Sequence, residues 1–315
     1  MMSKIGTFEV PICCPRCGCT DIIRRGKPES QKGKIQRYSC KNCMRRFRDT
    51  ITHRSRFGEL VVDRVLPLTA AGLRPRAIAD EIARDSEEFL SKKIEISTQT
   101  IPRLVRRYVP ILLRFERLAE PKHMSDLWTI DDMFERIRIK KGYKIYWIVN
   151  ILDLRTRYCL ASCVFPGRDE HITIEALKSA IQRAKRVPSL ITCDEYQAQI
   201  RGIKNLLPSA EIDSKSKEES YGHINEIEAF NNLVRRANIT RRGSRSLVYL
   251  QSKLDLFRFD YNFFRLHGSL EKETPASLAG IPYPQTFRWS ELLRYARWFL
   301  ISRSNSVQPG GQNNG

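Results

Sequence analysis

The feature that most constrains the fold is a set of two cysteine pairs near the start of the chain. Each pair has two residues between its members. The pairs are Cys14 with Cys17 and Cys40 with Cys43. Each pair presents two thiolates across a tight turn, and four thiolates satisfy a tetrahedral Zn²⁺ ion. A segment this short buries too little apolar surface to be stable alone, and a bound metal supplies the missing stability. We therefore predict one structural Zn²⁺ held by these four cysteines.

The charge balance indicates which partners the chain binds. It has 55 Lys and Arg against 35 Asp and Glu, which gives a formal net charge of +20. A basic surface neutralises phosphates and releases their counterions, so double-stranded DNA is the predicted partner and a membrane surface is the alternative. No apolar run approaches the roughly 20 residues of a membrane span, so no span is expected, and we predict DNA and no membrane as the partner.

The N-terminus and the nine cysteines bear on the compartment. The first residues lack the apolar core of a secretory signal, so we predict a cytoplasmic protein associated with the nucleoid. Disulfides are rare in that compartment, and the cysteines are therefore expected to be ligands or free thiols. Cys13 and Cys19 flank the paired cysteines and leave the exact set of four zinc ligands open.

The residue pattern divides the chain into five segments. A cysteine-bearing module (1–54) precedes a helical segment (55–122), an α/β segment (123–285), a C-terminal helix (286–303) and a polar, Gly-rich tail (304–315). The tail has too few apolar residues to pack, so it is predicted to be disordered.

The helical segment ends in an amphipathic helix. Ile101, Leu104 and Tyr108 recur at the spacing of one buried helix face. Three arginines are left for the opposite face, namely Arg103, Arg106 and Arg107. This pattern predicts a helix-turn-helix domain whose recognition helix spans about 99–108 and binds DNA. An ordinary helical linker is the alternative, because the connection at 85–96 is long for a tight turn.

The third segment switches from helical to strand periodicity. Apolar strands are predicted at Leu127–Ile137, Ile145–Leu154 and Tyr158–Phe165. A helix at about 172–187, a short buried strand at Ser189–Cys193 and a further helix and strand follow. Three antiparallel strands followed by β-α units predict an α/β fold of the ribonuclease H type.

Two acids stand at strand positions of this segment. Successive strand residues face opposite sides, so Asp131 shares a face with Thr129 and Met133, while Asp132 lies on the other face. The Asp131 face is the less apolar and is expected to open to a cleft, so we select Asp131. Asp194 ends a buried strand, where ligand sites in open α/β sheets lie. Its alternative role is the N-cap of the following helix.

A third acid lies on a helix predicted from Asn225 onward. The buried stripe of this helix consists of Ile227, Phe230 and Val234. Glu228 groups on another face with Asn231, Asn232 and Arg235, at spacings of three, four and seven residues, whereas Glu226 points well away from Glu228. We therefore select Glu228 as the third acid.

The three acids suit a two-metal site. Two carboxylates on strands and one on a later helix hold a pair of Mg²⁺ or Mn²⁺ ions, which clamp the attacking and leaving oxygens of a phosphodiester. We therefore predict Asp131, Asp194 and Glu228 as metal ligands and catalytic residues. An arginine run follows the third acid and includes Arg235, Arg236, Arg241 and Arg242. We predict that this run binds the DNA backbone beside the metals. The alternative is that the arginines form only a solvated face.

Several of these segments resemble one known family. They are Trp128–Asp131, Thr192–Asp194, Asn225–Glu228, Cys40–Arg48, and Asn262–Leu270 with Thr274–Ala276. They resemble the DDE transposases of prokaryotic insertion sequences, in particular the group with an N-terminal zinc ribbon, a helix-turn-helix and an integrase-like core. The resemblance covers nearly the whole chain. It implies Mg²⁺-dependent strand cleavage and transfer by DNA-bound homo-oligomers at element ends.

The sequence therefore predicts a DDE transposase. In that reaction, water first hydrolyses a strand at an element end, and the freed 3′-hydroxyl then attacks target DNA. Two alternatives remain open: a non-catalytic DNA-binding regulator derived from a transposase, and a metal-dependent nuclease that hydrolyses without joining. The presence of all three acids favours catalysis over the regulator.

Overall fold

The structure is a computed structural model. It describes residues 2–5, 8–12, 14–15, 19–28, 36–48, 58–91, 93–138, 142–214, 224–237, 247–285 and 288–306. Contacts divide the chain into two compact units. The first is Met1–Arg64 with Pro110–Leu118 and Tyr283–Gly315, and the second is Val65–Val109 with Ala119–Pro282. Within the described stretches, no helix is long and apolar enough to cross a membrane.

The first unit begins with two small antiparallel sheets. Strands β1 (Met2–Ile5) and β2 (Phe8–Pro11) form one, and strands β3 (Ile22–Arg24), β4 (Arg37–Cys40) and β5 (Arg46–Arg48) form the other. The three-stranded sheet packs its inner face into a small core of Ile12, Cys14, Ile22, Tyr38, Cys40 and Phe47. Two of these core residues are cysteines, so the core surrounds the predicted metal ligands.

Three helices follow: α1 (Glu59–Ala70), α2 (Pro75–Leu90) and α3 (Thr100–Leu118). The recognition helix predicted at 99–108 is therefore the first half of a longer helix. The prediction ended it too early, because the buried side chains Leu112 and Phe115 continue the same stripe past Pro110. The connection between α2 and α3 is longer than a tight turn, so the helix-turn-helix remains a prediction.

The second unit is built around a five-stranded sheet. Its elements are β6 (Leu127–Arg138), β7 (Tyr143–Asp153), β8 (Cys159–Phe165), α4 (Glu170–Ala184), β9 (Leu190–Thr192), α5 (Gln197–Leu206) and β10 (Glu211–Asp213). The strand order is β10-β9-β6-β7-β8. Strand β7 runs antiparallel to β6 and β8, whereas β9 is parallel to both β6 and β10. This is the α/β fold of the ribonuclease H type that the sequence predicts.

Two helices cover one face of this sheet. They are α6 (Ile224–Arg236) and α7 (Leu247–Phe263). Met133 and Ile148 of the sheet share one buried cluster with Ile227 and Phe230 of α6 and Leu254 of α7. Burial of this shared apolar surface is what holds α6 against the strand that carries Asp131.

Two further helices follow α7. Helix α8 (Pro275–Leu278) is short and comes after a single turn of 3₁₀ helix at Gly268–Leu270, and α9 (Trp289–Ser306) belongs to the first unit. In that unit, the side chain of Asp63 accepts hydrogen bonds from the backbone nitrogen and the hydroxyl of Ser290, at 2.7 Å each. The tail predicted to be disordered from residue 304 lies outside the described residues from 307 onward.

Polar side chains cover the outer backbone edge of β8. The amide of Gln251 accepts from Val164 N at 2.9 Å and donates to Ser162 O at 2.9 Å. Asn262 bonds both backbone groups of Cys159, at 2.8 and 3.0 Å. Through these contacts, side chains of α7 take the place that a further strand would occupy.

Candidate active site

Parallel pairing brings the first two predicted acids to the same part of the sheet. Thr129 of β6 is the register partner of Thr192 of β9. Asp131 and Asp194 each follow their threonine by two residues, and neighbouring strands are about 4.8 Å apart. The N-cap of α5 is Tyr196, so Asp194 does not cap that helix. The alternative structural role for Asp194 is therefore not seen.

Asp131 is held by hydrogen bonds to both of its carboxylate oxygens. Its Oδ1 accepts from the backbone nitrogen of Asp132 at 2.8 Å, and its Oδ2 accepts from Nδ2 of Asn231 at 2.6 Å. Burial, then the charges of Asp194, Asp132 and Glu228, raise the pKa of Asp131 to about 7. The carboxylate therefore lies where negative charges crowd together, and a bound cation would relieve that crowding.

Asn231 is itself oriented by a buried asparagine on the neighbouring strand. Asn150 of β7 pairs with Asp131 in the sheet register, and its Nδ2 donates to Oδ1 of Asn231 at 2.7 Å. Both asparagines are almost fully buried, and Oδ1 of Asn150 has no hydrogen-bond partner among the described residues. The relay from Asn150 through Asn231 to Asp131 fixes α6 to the strand that carries the acid.

Glu228 lies on α6 one helical turn before Asn231. Ile227, Phe230 and Val234 are buried, as the predicted stripe requires. Asn231, three residues after Glu228, contacts Asp131, so the helix presents Glu228 on the side of the first acid. The charge of Glu228 acts on Asp131 there.

Glu226 is engaged elsewhere. It forms an ion pair with Arg157 at 2.6 Å, and both side chains are largely buried. That pair lies on a different side of α6 from the Asn231 contact, and the choice of Glu228 over Glu226 remains a prediction.

Asp131 does not lie on an open face of the sheet, contrary to the prediction. Met133 on that face is buried under α6 and α7. What distinguishes the two acids is their partners. Asp131 faces the helix that carries Glu228, whereas Asp132 is bound by a cation.

That cation is Arg168, which precedes α4. Its Nε donates to Asp132 Oδ2 at 2.9 Å and its Nη2 lies 2.8 Å from Oδ1, a two-pronged contact to a nearly buried carboxylate. The guanidinium carbon also lies 4.3 Å from the ring centre of Trp147 and 3.7 Å from that of Tyr196. The Tyr196 hydroxyl donates to the backbone oxygen of Arg168 at 3.1 Å. Arg168 thus links Asp132, which follows Asp131, to Tyr196, which lies two positions after Asp194.

The three acids offer oxygen ligands. Carboxylate oxygens are the ligands that Mg²⁺ takes in proteins, so the donor set of Asp131, Asp194 and Glu228 is compatible with Mg²⁺. A different set of side chains, made of cysteines, is the one set of three among the described residues whose ligand atoms lie within 4.8 Å of one another.

The cysteine set lies in the first unit and consists of Cys14, Cys40 and Cys43. The sulfurs of Cys14 and Cys43 are 3.4 Å apart. Four sulfurs at about 2.3 Å from a tetrahedral zinc lie roughly 3.8 Å from one another, so this spacing suits Zn²⁺. Cys17, the fourth predicted ligand, lies outside the described residues.

Zinc content tests this site. We expect about one Zn²⁺ per chain, and replacing Cys14 and Cys40 together by Ser should remove the zinc and destabilise the module, because structural zinc supplies folding free energy. Cys19→Ser is the matched control, since the Cys19 sulfur is not a member of the described cluster. Metal analysis and thermal unfolding measure both effects. Unchanged zinc in the double variant would overturn the ligand assignment.

Those of the predicted DNA-binding arginines that the structure describes lie on exposed helix faces. On α3, Arg103, Arg106 and Arg107 are exposed, while Ile101 and Leu104 are buried. Arg235 and Arg236 are exposed at the end of α6, and Arg235 donates to Asn232 at 3.2 Å. Arg241 and Arg242 lie outside the described residues. Exposure makes these side chains available to a polyanion, and DNA binding by them remains a prediction.

Sequence reasoning missed three residues around the acids: Asn150, Asn231 as a partner of Asp131, and Arg168. Asn150 interrupts the apolar run Ile148–Leu152, and a polar residue in such a run signals a buried hydrogen bond. Asn231 follows Glu228 by three residues and therefore shares its helix face. Nothing in the sequence near Arg168 indicates its partner, which lies 36 residues earlier.

Comparison with known proteins gives one family match. Residues 225–275, which include Glu228, match the family model described as Integrase core domain. A curated protein of Archaeoglobus fulgidus, the UPF0200/UPF0201 protein, is 22% identical over 155 residues, or 46% of this chain. The chain spans about half the length of that relative, with 47% of it covered.

Solved structures of retroviral integrases are distantly similar. The HTLV-2 integrase catalytic core domain in complex with magnesium is 12% identical, with a TM-score of 0.36 over 51% of this chain and 99% of that one. A chain of the simian T-cell lymphotropic virus intasome is 13% identical, with a TM-score of 0.38 over 59% of this chain and 68% of that one. The catalytic core domain of BIV integrase is 15% identical, with a TM-score of 0.32 over 58% of this chain and 99% of that one. The strand order β10-β9-β6-β7-β8 of this chain itself defines its fold.

Proposed function

We propose that this chain is a DDE transposase of the insertion-sequence type, which cleaves DNA strands at element ends and transfers them to target DNA. The observation that carries the proposal is the meeting of Asp131, Asp194 and the Glu228 helix on a sheet of the ribonuclease H type. The match of residues 225–275 to an integrase core supports it. The domain boundaries given above, the helix-turn-helix and assembly as a homo-oligomer on DNA belong to the same proposal.

The residues of the chain have distinct roles in this chemistry. Asp131, Asp194 and Glu228 would hold two Mg²⁺ or Mn²⁺ ions, which would supply stabilisation of the attacking and leaving oxygens of a phosphodiester. Asn231 and Asn150 fix the orientation of the Asp131 carboxylate. The exposed arginines at the end of α6 bind phosphates beside the site. No side chain needs to form a covalent intermediate.

Strand cleavage and joining test the proposal directly. Purified full-length protein is incubated with labelled duplex DNA carrying the element ends, with target DNA and with Mg²⁺. Nicked products whose 3′ ends become joined to target DNA are expected. Nicking without joining would identify a nuclease, and DNA binding without nicking would identify a regulator derived from a transposase.

Arg168 is expected to act as a positioning residue. Arg168→Ala removes the ion pair with Asp132 and the cation beside Trp147 and Tyr196, so the two aspartate-bearing segments lose their link. A displacement of about 1 Å can lower a rate about 10²-fold, and we expect a loss of that order in cleavage. The Mg²⁺ concentration for half-maximal cleavage should rise as well, because the ligand spacing changes.

Two further variants separate positioning from folding. Arg168→Lys keeps the charge without the two-pronged contact, so its loss should be intermediate. Lys178→Ala is the control, because it breaks only the exposed pair with Glu175. If Arg168→Ala lowers thermal stability while the Mg²⁺ dependence stays unchanged, Arg168 has a structural role alone.

A further inference from the structure

Four arginines gather on one face of the three-stranded sheet of the first unit. They are Arg25, Arg37, Arg46 and Arg48, and we refer to them as the arginine face. Arg37 of β4 is the register partner of Arg48 of β5. The backbone bond from Arg25 N to Arg37 O, at 2.8 Å, extends the β3–β4 pairing by one residue. Arg25, Arg37 and Arg48 therefore form one row across all three strands.

Side-chain alternation places this row away from the core. Ile22, Tyr38, Cys40 and Phe47 are buried on the inner side of the sheet. Residues one position away point to the other side, and Arg25, Arg37 and Arg46 are accordingly exposed, with Arg48 partly so. A concavity of about 380 Å³ at this end of the sheet is lined by the four arginines together with Tyr38 and Phe47.

The charges of the arginine face are uncompensated within the described part of the module. Like charges directly opposite each other on paired strands destabilise a sheet, and Arg37 and Arg48 are such a pair. Asp21 pairs with Lys41 at 2.8 Å instead. Among the described residues, no carboxylate forms an ion pair with any of the four arginines. A bound anion would relieve the repulsion, so the face is arranged for a polyanion.

The width of the sheet indicates which part of DNA the face meets. Three strands span roughly 10 Å between the outer backbones, before the side chains are added. The major groove is about 12 Å wide and admits a helix or a two-stranded ribbon. A three-stranded face is broader than the two-stranded ribbon that the groove admits, so the face is expected to lie against the phosphates.

We infer that the arginine face is a phosphate-binding surface that grips duplex DNA without regard to sequence. The inference builds on the proposed function, since it names a surface through which the DNA substrate is held. It would also give a zinc bound by the cysteine cluster a purpose, because the cluster lies in the core beneath the strands that carry the arginines. Choice of the element ends must then come from another part of the chain.

The test compares neighbouring arginines on opposite faces of β3. Full-length Arg25→Ala is compared with Arg24→Ala, which removes the same charge from an exposed residue on the opposite side of the strand. A double variant, Arg37→Ala with Arg48→Ala, removes two members of the row. Affinity for two short duplexes of unrelated sequence is measured over a range of salt concentrations, without divalent metal. Zinc content verifies that each variant is folded.

The double variant should lower the slope of log affinity against log salt by about 2, equally on both duplexes, because each lost phosphate contact removes about one unit. Arg25→Ala should weaken binding more than Arg24→Ala. Loss confined to one duplex would mean base recognition and would overturn the inference, as would an unchanged slope or equal effects of Arg24→Ala and Arg25→Ala. Since binding is measured without catalysis, failure of strand cleavage would leave this result interpretable.

Discussion

Asp131→Asn, Asp194→Asn and Glu228→Gln should each abolish strand cleavage while leaving DNA affinity nearly intact. An amide keeps the shape of the carboxylate but removes the charge that neutralises the metal pair. A loss of about 4 kcal/mol of transition-state stabilisation corresponds to roughly 10³-fold in rate. DNA affinity comes mainly from Lys and Arg, so it should persist or rise slightly as a negative charge leaves the site. Product formation on labelled DNA and a parallel binding assay measure the two effects.

The structure determines which controls are informative. Glu195→Gln is the matched one, because Glu195 is exposed and directly follows Asp194. Glu226→Gln tests the helix register, and it also leaves Arg157 without its carboxylate partner. Asp132→Asn is not silent either, since Asp132 binds Arg168. If Glu226→Gln prevents cleavage and Glu228→Gln does not, the third acid has been misassigned. If all three acid variants cleave like the parent, the catalytic proposal fails.

Raising the salt concentration from 50 to 200 mM should weaken DNA binding by about 10³-fold if six or more phosphates are contacted. The physical reason is counterion release. A net charge of +20 is spread along the chain, and each phosphate that it neutralises releases a bound cation. Added salt makes that release less favourable. Fluorescence anisotropy with labelled duplex DNA measures the slope. A neutral solute at matched osmolality is the control and should leave affinity unchanged. Constant affinity across the salt range would contradict binding through basic surfaces.

Local pattern was enough to predict the elements around the site. The strands β6 to β9 agree with their predicted bounds within two residues, because their apolar runs are bounded by clear turns. The buried stripe of α6 follows in the same way from Ile227, Phe230 and Val234. These features depend on neighbours along the chain, which a sequence displays directly.

Contacts between distant segments could not be predicted in this way. The pairing of Thr129 with Thr192 sets Asp131 beside Asp194, yet register depends on packing of the whole sheet. The relay from Asn150 to Asn231 joins residues 81 positions apart. The prediction that the Asp131 face is open was wrong for the same reason. Helices α6 and α7 cover that face, and they come about a hundred residues later in the chain.

The amide contacts along β8 limit how copies of this chain can associate. An exposed edge strand offers free backbone groups to a strand of another molecule, and sheets then join end to end. Here Gln251 and Asn262 already occupy those groups at Cys159, Ser162 and Val164. A β8-to-β8 ribbon between two subunits would first have to break these bonds. Pairing of subunits through β8 is therefore disfavoured, and an oligomer that forms on DNA is expected to use other surfaces of the chain.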